Sequence, residues 1–183
     1  KNCAHWYMAD LAIMMSGHVS IPIYPTLNAE SIHQILVHSE SKLMIVGKLD
    51  NLPAQQSGFT EIPIVGVNMY GDTHEQNWEN LIETEPALEQ LYEQQPEDLY
   101  TIIYTSGTTG TPKGVMHTIN NFMVCAYSLN AVFEIEEESN LFSYLPIAHV
   151  AERVLENVAT LLGACVTFPE SLETFPSDLE KTQ

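Results

Sequence analysis

Hydrophobic and polar residues alternate along this chain in blocks whose lengths predict helices and strands in turn. Short apolar runs at residues 42–47 and 62–67 are flanked by polar residues or glycine, which is typical of buried strands. Residues 152–162 place their apolar side chains on one stripe, which is typical of a helix that packs one face against a core. The same reasoning predicts helices at residues 9–17, after Asn28 and over about 118–133, and strands at residues 19–25, 98–107, 141–146 and 164–169.

The order of these elements predicts an α/β fold. Strands that are apolar throughout and alternate with helices are typical of a mostly parallel sheet that is layered by helices. Asn28 is expected to cap the N terminus of its helix, and Gly163 is expected to end the helix at 152–162. Residues 73–95 are polar and acidic, so we expect a surface segment in which Pro86 separates two short helices.

Composition narrows the range of partners. The 183 residues include 6 lysines and arginines against 24 aspartates and glutamates, which gives a formal net charge of −18. A surface with that charge repels nucleic-acid phosphates and anionic lipids, so we expect no nucleic-acid partner, and nothing in the sequence indicates membrane association. The 3 cysteines are far apart, which disfavours a zinc site or a disulfide framework and predicts a reducing, cytoplasmic location.

Residues 104–114, YTSGTTGTPKG, combine three glycines, four threonines, a serine and one of the few lysines. The predicted strand before them and the predicted helix after them put this stretch where α/β proteins bind ligands. Glycines let backbone amides approach an anion, hydroxyls donate hydrogen bonds and Lys113 adds positive charge, so the stretch predicts a polyphosphate-binding loop. A P-loop NTPase is excluded, because Pro112 has no amide hydrogen and Gly114 has no hydroxyl for Mg²⁺.

The same stretch resembles the phosphate-binding loop of the adenylate-forming superfamily, which includes acyl-CoA synthetases, adenylation domains and luciferases. Three other stretches are similar to long-chain fatty acid–CoA ligases: residues 17–26 (GHVSIPIYPT), 96–110 (PEDLYTIIYTSGTTG) and 144–153 (YLPIAHVAER). The resemblance covers essentially the whole chain. It implies the acyl-CoA synthetase-like fold and activation of a fatty acid by ATP to an acyl-adenylate, followed by thioester formation with coenzyme A.

The resemblance also implies roles for individual residues. Phosphate contacts are expected from Thr105, Ser106, Gly107, Thr108, Thr109, Gly110 and Lys113. Thr105 is also expected to position Mg²⁺, and Lys113 and His149 are the expected catalytic residues. Glu152 and Arg153 match the same motif as His149, and either a buried ion pair that fixes the helix start or a direct catalytic role is compatible with the match.

The sequence departs from the family pattern in two respects. Ile119 stands where many members carry a histidine, and His117 is the nearest histidine, so its role stays open. The family's adenine-binding and ribose-binding motifs and its C-terminal lysine are absent, so residues 1–183 are expected to be a fragment of the AMP-binding N-terminal domain, inactive alone. An acyl-AMP ligase, another adenylation domain, or a non-catalytic nucleotide-binding or interaction module also remains open, as do chain-length preference, oligomeric state and membrane association.

Overall fold

The computed structural model describes residues 1–105, 112–133, 135–171 and 173–182. Its helices are α1 (Ala4–Met15), α2 (Ala29–His38), α3 (Leu52–Gln55), α4 (Trp78–Thr84), α5 (Ile119–Phe133), α6 (Val150–Leu162) and α7 (Phe175–Glu180). Its strands are β1 (Met44–Val46), β2 (Ile64–Gly66), β3 (Leu99–Thr105), β4 (Lys113–Thr118), β5 (Asn140–Phe142) and β6 (Cys165–Thr167).

The described strands form three pairs. Strands β1 and β2 are parallel, as are β5 and β6, whereas β3 and β4 form an antiparallel hairpin. The extended segment at residues 19–25 meets β3 through Ser20, whose backbone N–H donates to Tyr100 and whose carbonyl accepts from Ile102, both at 3.1 Å. The prediction of an α/β fold is confirmed, and the described strands form three separate pairs, two parallel and one antiparallel, rather than one mostly parallel sheet.

Two predicted helix ends are confirmed by their capping geometry. The side chain of Asn28 accepts a hydrogen bond from the backbone N–H of Ser31 at 2.8 Å, which satisfies one free amide of α2. Gly163 ends α6 with a φ of 71°, a left-handed conformation that glycine adopts without steric cost.

The acidic segment differs from its prediction. It contains one helix, α4, and no helix follows over residues 85–98. Instead, the backbone N–H of Tyr92 donates to the carbonyl of Met15 at 2.9 Å, and the Gln94 amide donates to the carbonyl of Met14 at 3.1 Å. Tertiary hydrogen bonds to the C-terminal end of α1 are therefore found where the sequence predicted a second local helix.

A small hydrophobic core holds the hairpin. Tyr100 and Ile103 of β3 pack against Phe122 of α5, and the three side chains are 3–5% exposed. Met14 of α1 and Val154 of α6 complete the cluster from the other helices. The core therefore fixes β3, the strand that leads into the glycine- and threonine-rich stretch. Among the described helices, none combines the length and apolar character needed to cross a bilayer.

Candidate phosphate-binding site

The predicted phosphate-binding loop connects the two strands of the antiparallel hairpin. Thr105 is the last residue of β3 and Lys113 is the first residue of β4, and the two are direct partners in the register of the ladder. Both residues are exposed. Ser106, Gly107, Thr108, Thr109 and Gly110 lie outside the described residues, so their contacts stay predictions.

The predicted order of strand, loop and helix is wrong at this point. Strand β4 separates the loop from α5, which begins only at Ile119. The first turn of α5 is closed by a reciprocal pair: the Thr118 N–H donates to the Asn121 side chain at 3.0 Å, and the Asn121 N–H donates to the Thr118 hydroxyl at 3.3 Å. The start of α5 is therefore separated from Lys113 by the length of β4, so a strand rather than a helix N terminus follows the loop directly.

Lys113 is the lysine or arginine nearest to the loop in the sequence. Three other basic residues form ion pairs: Lys1 with Asp50, Arg153 with Asp10, and Lys181 with Asp178. Within the part of the chain that the structure describes, no salt bridge includes Lys113. In a protein of net charge −18, an exposed ammonium group at the base of this loop is suited to bind an anionic ligand.

The family resemblance predicts a magnesium ion that binds together with the phosphates. The described residues hold no group of three histidine, cysteine, aspartate or glutamate side chains suited to a metal. Mg²⁺ in nucleotide sites commonly keeps several waters and is bound through one or two carboxylates together with the phosphates. The hydroxyl of Thr105, an exposed residue at the end of β3, is an oxygen of the type that Mg²⁺ prefers, and its role as a metal ligand stays a prediction.

Arg153 forms a buried ion pair, and its partner is Asp10 of α1 rather than the neighbouring Glu152. The guanidinium donates two hydrogen bonds to the Asp10 carboxylate, at 2.9 and 3.0 Å, and the two residues are 1% and 6% exposed. The Tyr100 hydroxyl donates to the same carboxylate at 2.8 Å. This bidentate pair links α1, β3 and α6, so it holds the loop-bearing strand against both helices.

Aromatic rings surround the same guanidinium group. Its carbon lies 4.8 Å from the ring centre of Tyr100, 5.3 Å from that of Trp6 and 5.9 Å from that of Phe122. Such contacts stabilise a desolvated cation. A catalytic role for Arg153 would require contact with substrate, whereas this side chain is enclosed by core groups, so the structure favours the ion-pair alternative.

Glu156 is a second buried carboxyl beside Arg153, and the sequence did not single it out. It is 4% exposed, and its Oε1 has no hydrogen-bond partner among the described residues. Burial, partly offset by the charge of Arg153 and reinforced by the Asp10 and Glu152 carboxylates, raises the pKa of Glu156 to about 9. Glu156 is therefore protonated at neutral pH. The spacing of Glu152 and Glu156 on the inner face of an amphipathic helix was the sequence signal for this cluster.

His149 lies at the N terminus of α6. Its Nδ1 accepts a hydrogen bond from the backbone N–H of Ala151 at 3.2 Å, and His149 is exposed. In this arrangement the neutral ring carries its proton on Nε2. His149 therefore caps the helix and still presents a hydrogen-bond donor.

Two further residues, His117 and Ile119, lie at or near the position where many members of the resembling family carry a histidine. His117 lies on β4 with its ring edge against Phe122, at 5.5 Å between centres, and burial, followed by the charge of Arg153, lowers its pKa. Ile119 begins α5 and packs against the core cluster of Tyr100, Ile103 and Phe122. Ile119 therefore has a packing role, and whether His117 acts in catalysis stays open.

Comparison with known proteins gives a consistent family assignment. The sequence model described as AMP-binding enzyme matches residues 1–182. Fatty acyl-CoA synthetase A of Dictyostelium discoideum is 30% identical over 184 residues, which cover 91% of this chain and 27% of that protein. A long-chain-fatty-acid–CoA ligase of Xenopus laevis is 27% identical and covers 94% and 26%, respectively. The chain thus spans about a quarter of the length of these relatives.

Solved structures support the same fold. A long-chain-fatty-acid–CoA ligase from Archaeoglobus fulgidus matches with a TM-score of 0.82 and 23% identity, covering 99% of this chain and 36% of that chain. The inhibitor-bound N-terminal domain of FACL13 from Mycobacterium tuberculosis matches with a TM-score of 0.78 and 25% identity, covering 99% and 46%. The family match over residues 1–182 identifies this chain as a member of the AMP-binding enzyme family.

Proposed function

We propose that the protein containing this chain is a long-chain fatty acid–CoA ligase. A fatty acid carboxylate oxygen attacks the α-phosphorus of ATP, and the bond between that phosphorus and the bridging oxygen breaks, which releases pyrophosphate. The thiolate of coenzyme A then attacks the acyl carbon, and AMP leaves as the thioester forms. Fatty acid, ATP and coenzyme A are thus the substrates. The curated relatives named for fatty acyl-CoA synthesis support this choice of substrate class.

The observation that carries the proposal is the placement of Thr105 and Lys113 at the two ends of one loop. Lys113 stabilises the negative charge that accumulates on the leaving pyrophosphate, and the loop residues from Thr105 to Gly110 donate hydrogen bonds to the same phosphates. The Thr105 hydroxyl would hold Mg²⁺ through one oxygen, and the ion when bound would offset negative charge on the phosphates.

His149 serves the acyl-adenylate part of the site in this proposal. Its Nε2–H is available for a hydrogen bond because Nδ1 is already engaged by the N–H of Ala151. A donor aimed at the carboxylate orients it for attack and stabilises charge on its second oxygen.

Residues 1–183 form part of the AMP-binding N-terminal domain in this proposal and do not catalyse the reaction alone. The support is that the chain spans about a quarter of its relatives. An assay of the isolated chain with ATP, palmitate and coenzyme A tests it: acyl-CoA formation would contradict this part of the proposal.

The experiment that tests the function uses the protein expressed from its full coding sequence. Pyrophosphate release and acyl-CoA formation are measured with fatty acids of increasing chain length, for the wild type and for Lys113→Ala. Lys42→Ala is the matched control, since Lys42 is also exposed but lies before β1. Loss of a charge-assisted contact of about 1–3 kcal/mol predicts a 5- to 150-fold increase in the KM for ATP in Lys113→Ala only.

Two results would overturn the proposal. Pyrophosphate release without thioester would identify an acyl-AMP ligase or another adenylation enzyme. Equal ATP affinity in the wild type and Lys113→Ala, with no acyl-CoA formed from any fatty acid, would identify a non-catalytic module.

A further inference from the structure

The side chain of Tyr104 spans from the end of β3 to the end of α2. Its hydroxyl lies 2.7 Å from Nδ1 of His38, the last residue of that helix. The two rings meet edge to face, with centres 5.7 Å apart and planes at 89°. Tyr104 is only 5% exposed although it directly precedes the exposed Thr105. A buried ring with a bonded hydroxyl therefore stands immediately before the proposed phosphate-binding loop.

The same ring lies over Gly114 on the facing strand. Tyr104 and Gly114 are partners in the ladder, and a Cβ atom added to Gly114 would lie 3.2 Å from Cζ of Tyr104 and 2.7 Å from Cγ2 of Ile102. Space rather than backbone conformation requires glycine here, because the Gly114 φ is not in the positive region. The ring thus packs against both strands next to the pair formed by Thr105 and Lys113.

Helix α2 gives this arrangement a fixed support. Ile32, Ile35 and Leu36 are 2–4% exposed, so the helix is anchored in the core close to its last residue. His38 extends from that anchored end to the Tyr104 hydroxyl. The hydrogen bond consequently ties the base of the loop to an element that lies outside the hairpin.

We propose that Tyr104 and His38 are positioning residues for the ATP phosphates. They hold the hairpin where the loop leaves it, so that the Thr105 hydroxyl and the Lys113 ammonium keep the spacing a polyphosphate needs. Neither side chain contacts the nucleotide in this proposal. It rests on the proposed function, because it assigns a role relative to the phosphate contacts of Lys113.

A Tyr–His pair elsewhere in the fold provides a matched control. His5 of α1 lies with Nδ1 3.0 Å from the Tyr70 hydroxyl, and the rings meet edge to face with centres 5.3 Å apart and planes at 88°. Neither residue belongs to the hairpin. Tyr70→Phe therefore removes a hydrogen bond of the same type without acting on the loop.

The test measures the KM for ATP, the KM for palmitate and the thermal unfolding midpoint of the protein expressed from its full coding sequence. Tyr104→Phe and His38→Leu are expected to raise the KM for ATP about 3- to 10-fold with the KM for palmitate unchanged. His38→Asn restores an acceptor near the position of Nδ1 and is expected to restore the KM for ATP. Tyr70→Phe is expected to lower the unfolding midpoint as much as Tyr104→Phe and to leave the KM for ATP unchanged.

The outcomes distinguish this inference from the proposed function on which it rests. If Lys113→Ala weakens ATP binding but Tyr104→Phe and His38→Leu do not, or if Tyr70→Phe raises the KM for ATP equally, positioning by this pair is refuted and the phosphate site stands. If Lys113→Ala also leaves the KM for ATP unchanged, both the positioning role and the proposed phosphate site are refuted. Gly114→Ala is a second variant: its added Cβ presses on Ile102 and on the Tyr104 ring, so it is expected to raise the KM for ATP more than Tyr104→Phe does, and an unchanged KM for ATP would argue against positioning by the ring.

Discussion

Thr105 and Lys113 face each other directly across the antiparallel hairpin formed by β3 and β4. Residues that are directly opposite in such a pair carry their side chains on the same face, with Cα atoms about 4.5–5.5 Å apart. A hydroxyl and an ammonium group therefore leave the base of the loop on one side. That convergence gives the proposed site two chemically different groups: a hydroxyl oxygen for the metal ion and an ammonium group for the phosphate charge.

The hydroxyl of Thr105 is testable through the Mg²⁺ dependence of the reaction. Thr105→Val keeps the shape of the side chain but removes the oxygen, so the Mg²⁺ concentration for half-maximal rate is expected to rise several-fold. Thr105→Ser keeps the oxygen and is expected to resemble the wild type. The rate is measured at fixed ATP while Mg²⁺ is varied, and equal Mg²⁺ curves for all three proteins would argue against a metal contact.

His149 has a structural role and a proposed catalytic one, and two substitutions separate them. His149→Ala removes the cap of α6 and is expected to lower the free energy of unfolding by about 1 kcal/mol. His149→Asn supplies another capping side chain and is expected to keep that stability. Both variants are expected to lower the rate of adenylate formation, measured as pyrophosphate release. A fully active His149→Asn protein would limit His149 to capping.

The buried pair of Asp10 and Arg153 is expected to be essential for stability. Asp10→Asn leaves the guanidinium without its carboxylate and is expected to lower the free energy of unfolding by about 3–5 kcal/mol, as measured by urea denaturation. Asp10→Leu combined with Arg153→Met removes both charges and is expected to recover most of the loss. The control is Asp50→Asn, which breaks an exposed pair with Lys1 and should change stability little.

The raised pKa of Glu156 predicts how the free energy of unfolding depends on pH. In the unfolded chain its carboxyl loses the proton above its ordinary pKa of 4.5, whereas the folded protein keeps the proton until about pH 9. Unfolding therefore releases a proton in that window, so this group lowers the free energy of unfolding by up to about 1.4 kcal/mol per unit of rising pH.

Glu156→Gln makes the side chain permanently neutral and tests this directly. Its stability relative to the wild type is expected to increase steadily from pH 5 to pH 8, in urea unfolding at each pH. The exposed Glu138→Gln variant controls for general charge effects and should show a constant difference. A constant difference for Glu156→Gln as well would mean that this carboxyl is ionised in the folded protein.

Local sequence signals predicted much of the fold, and long-range contacts account for the main differences. The Asn28 cap and the Gly163 helix end depend on neighbouring residues, and both were predictable. Strand β4 was not predicted, because its apolar residues Val115 and Met116 are adjacent and exposed rather than alternating with polar ones. A hairpin depends on pairing with β3, which no local pattern of β4 specifies.

The candidate site was also only partly predictable from local sequence. The motif at residues 104–114 predicted the loop, but the partner of Arg153 lies 143 residues away in α1 and the partner of Tyr104 lies 66 residues away in α2. Asp10 appeared in the sequence only as a polar interruption of an apolar helix. An acidic residue within an apolar helix indicates that it has a buried partner. Which residue that partner is follows only from how the helices pack.

A crystal structure of the complete protein with Mg²⁺ and a non-hydrolysable ATP analogue tests the central claim most directly. The measured quantity is the distance from Nζ of Lys113 to the nearest β- or γ-phosphate oxygen. The phosphate-binding role predicts a charge-assisted hydrogen bond of about 2.7–2.9 Å, with the triphosphate against the loop that follows Thr105. A triphosphate bound elsewhere, beyond hydrogen-bonding distance of both Lys113 and that loop, would contradict it.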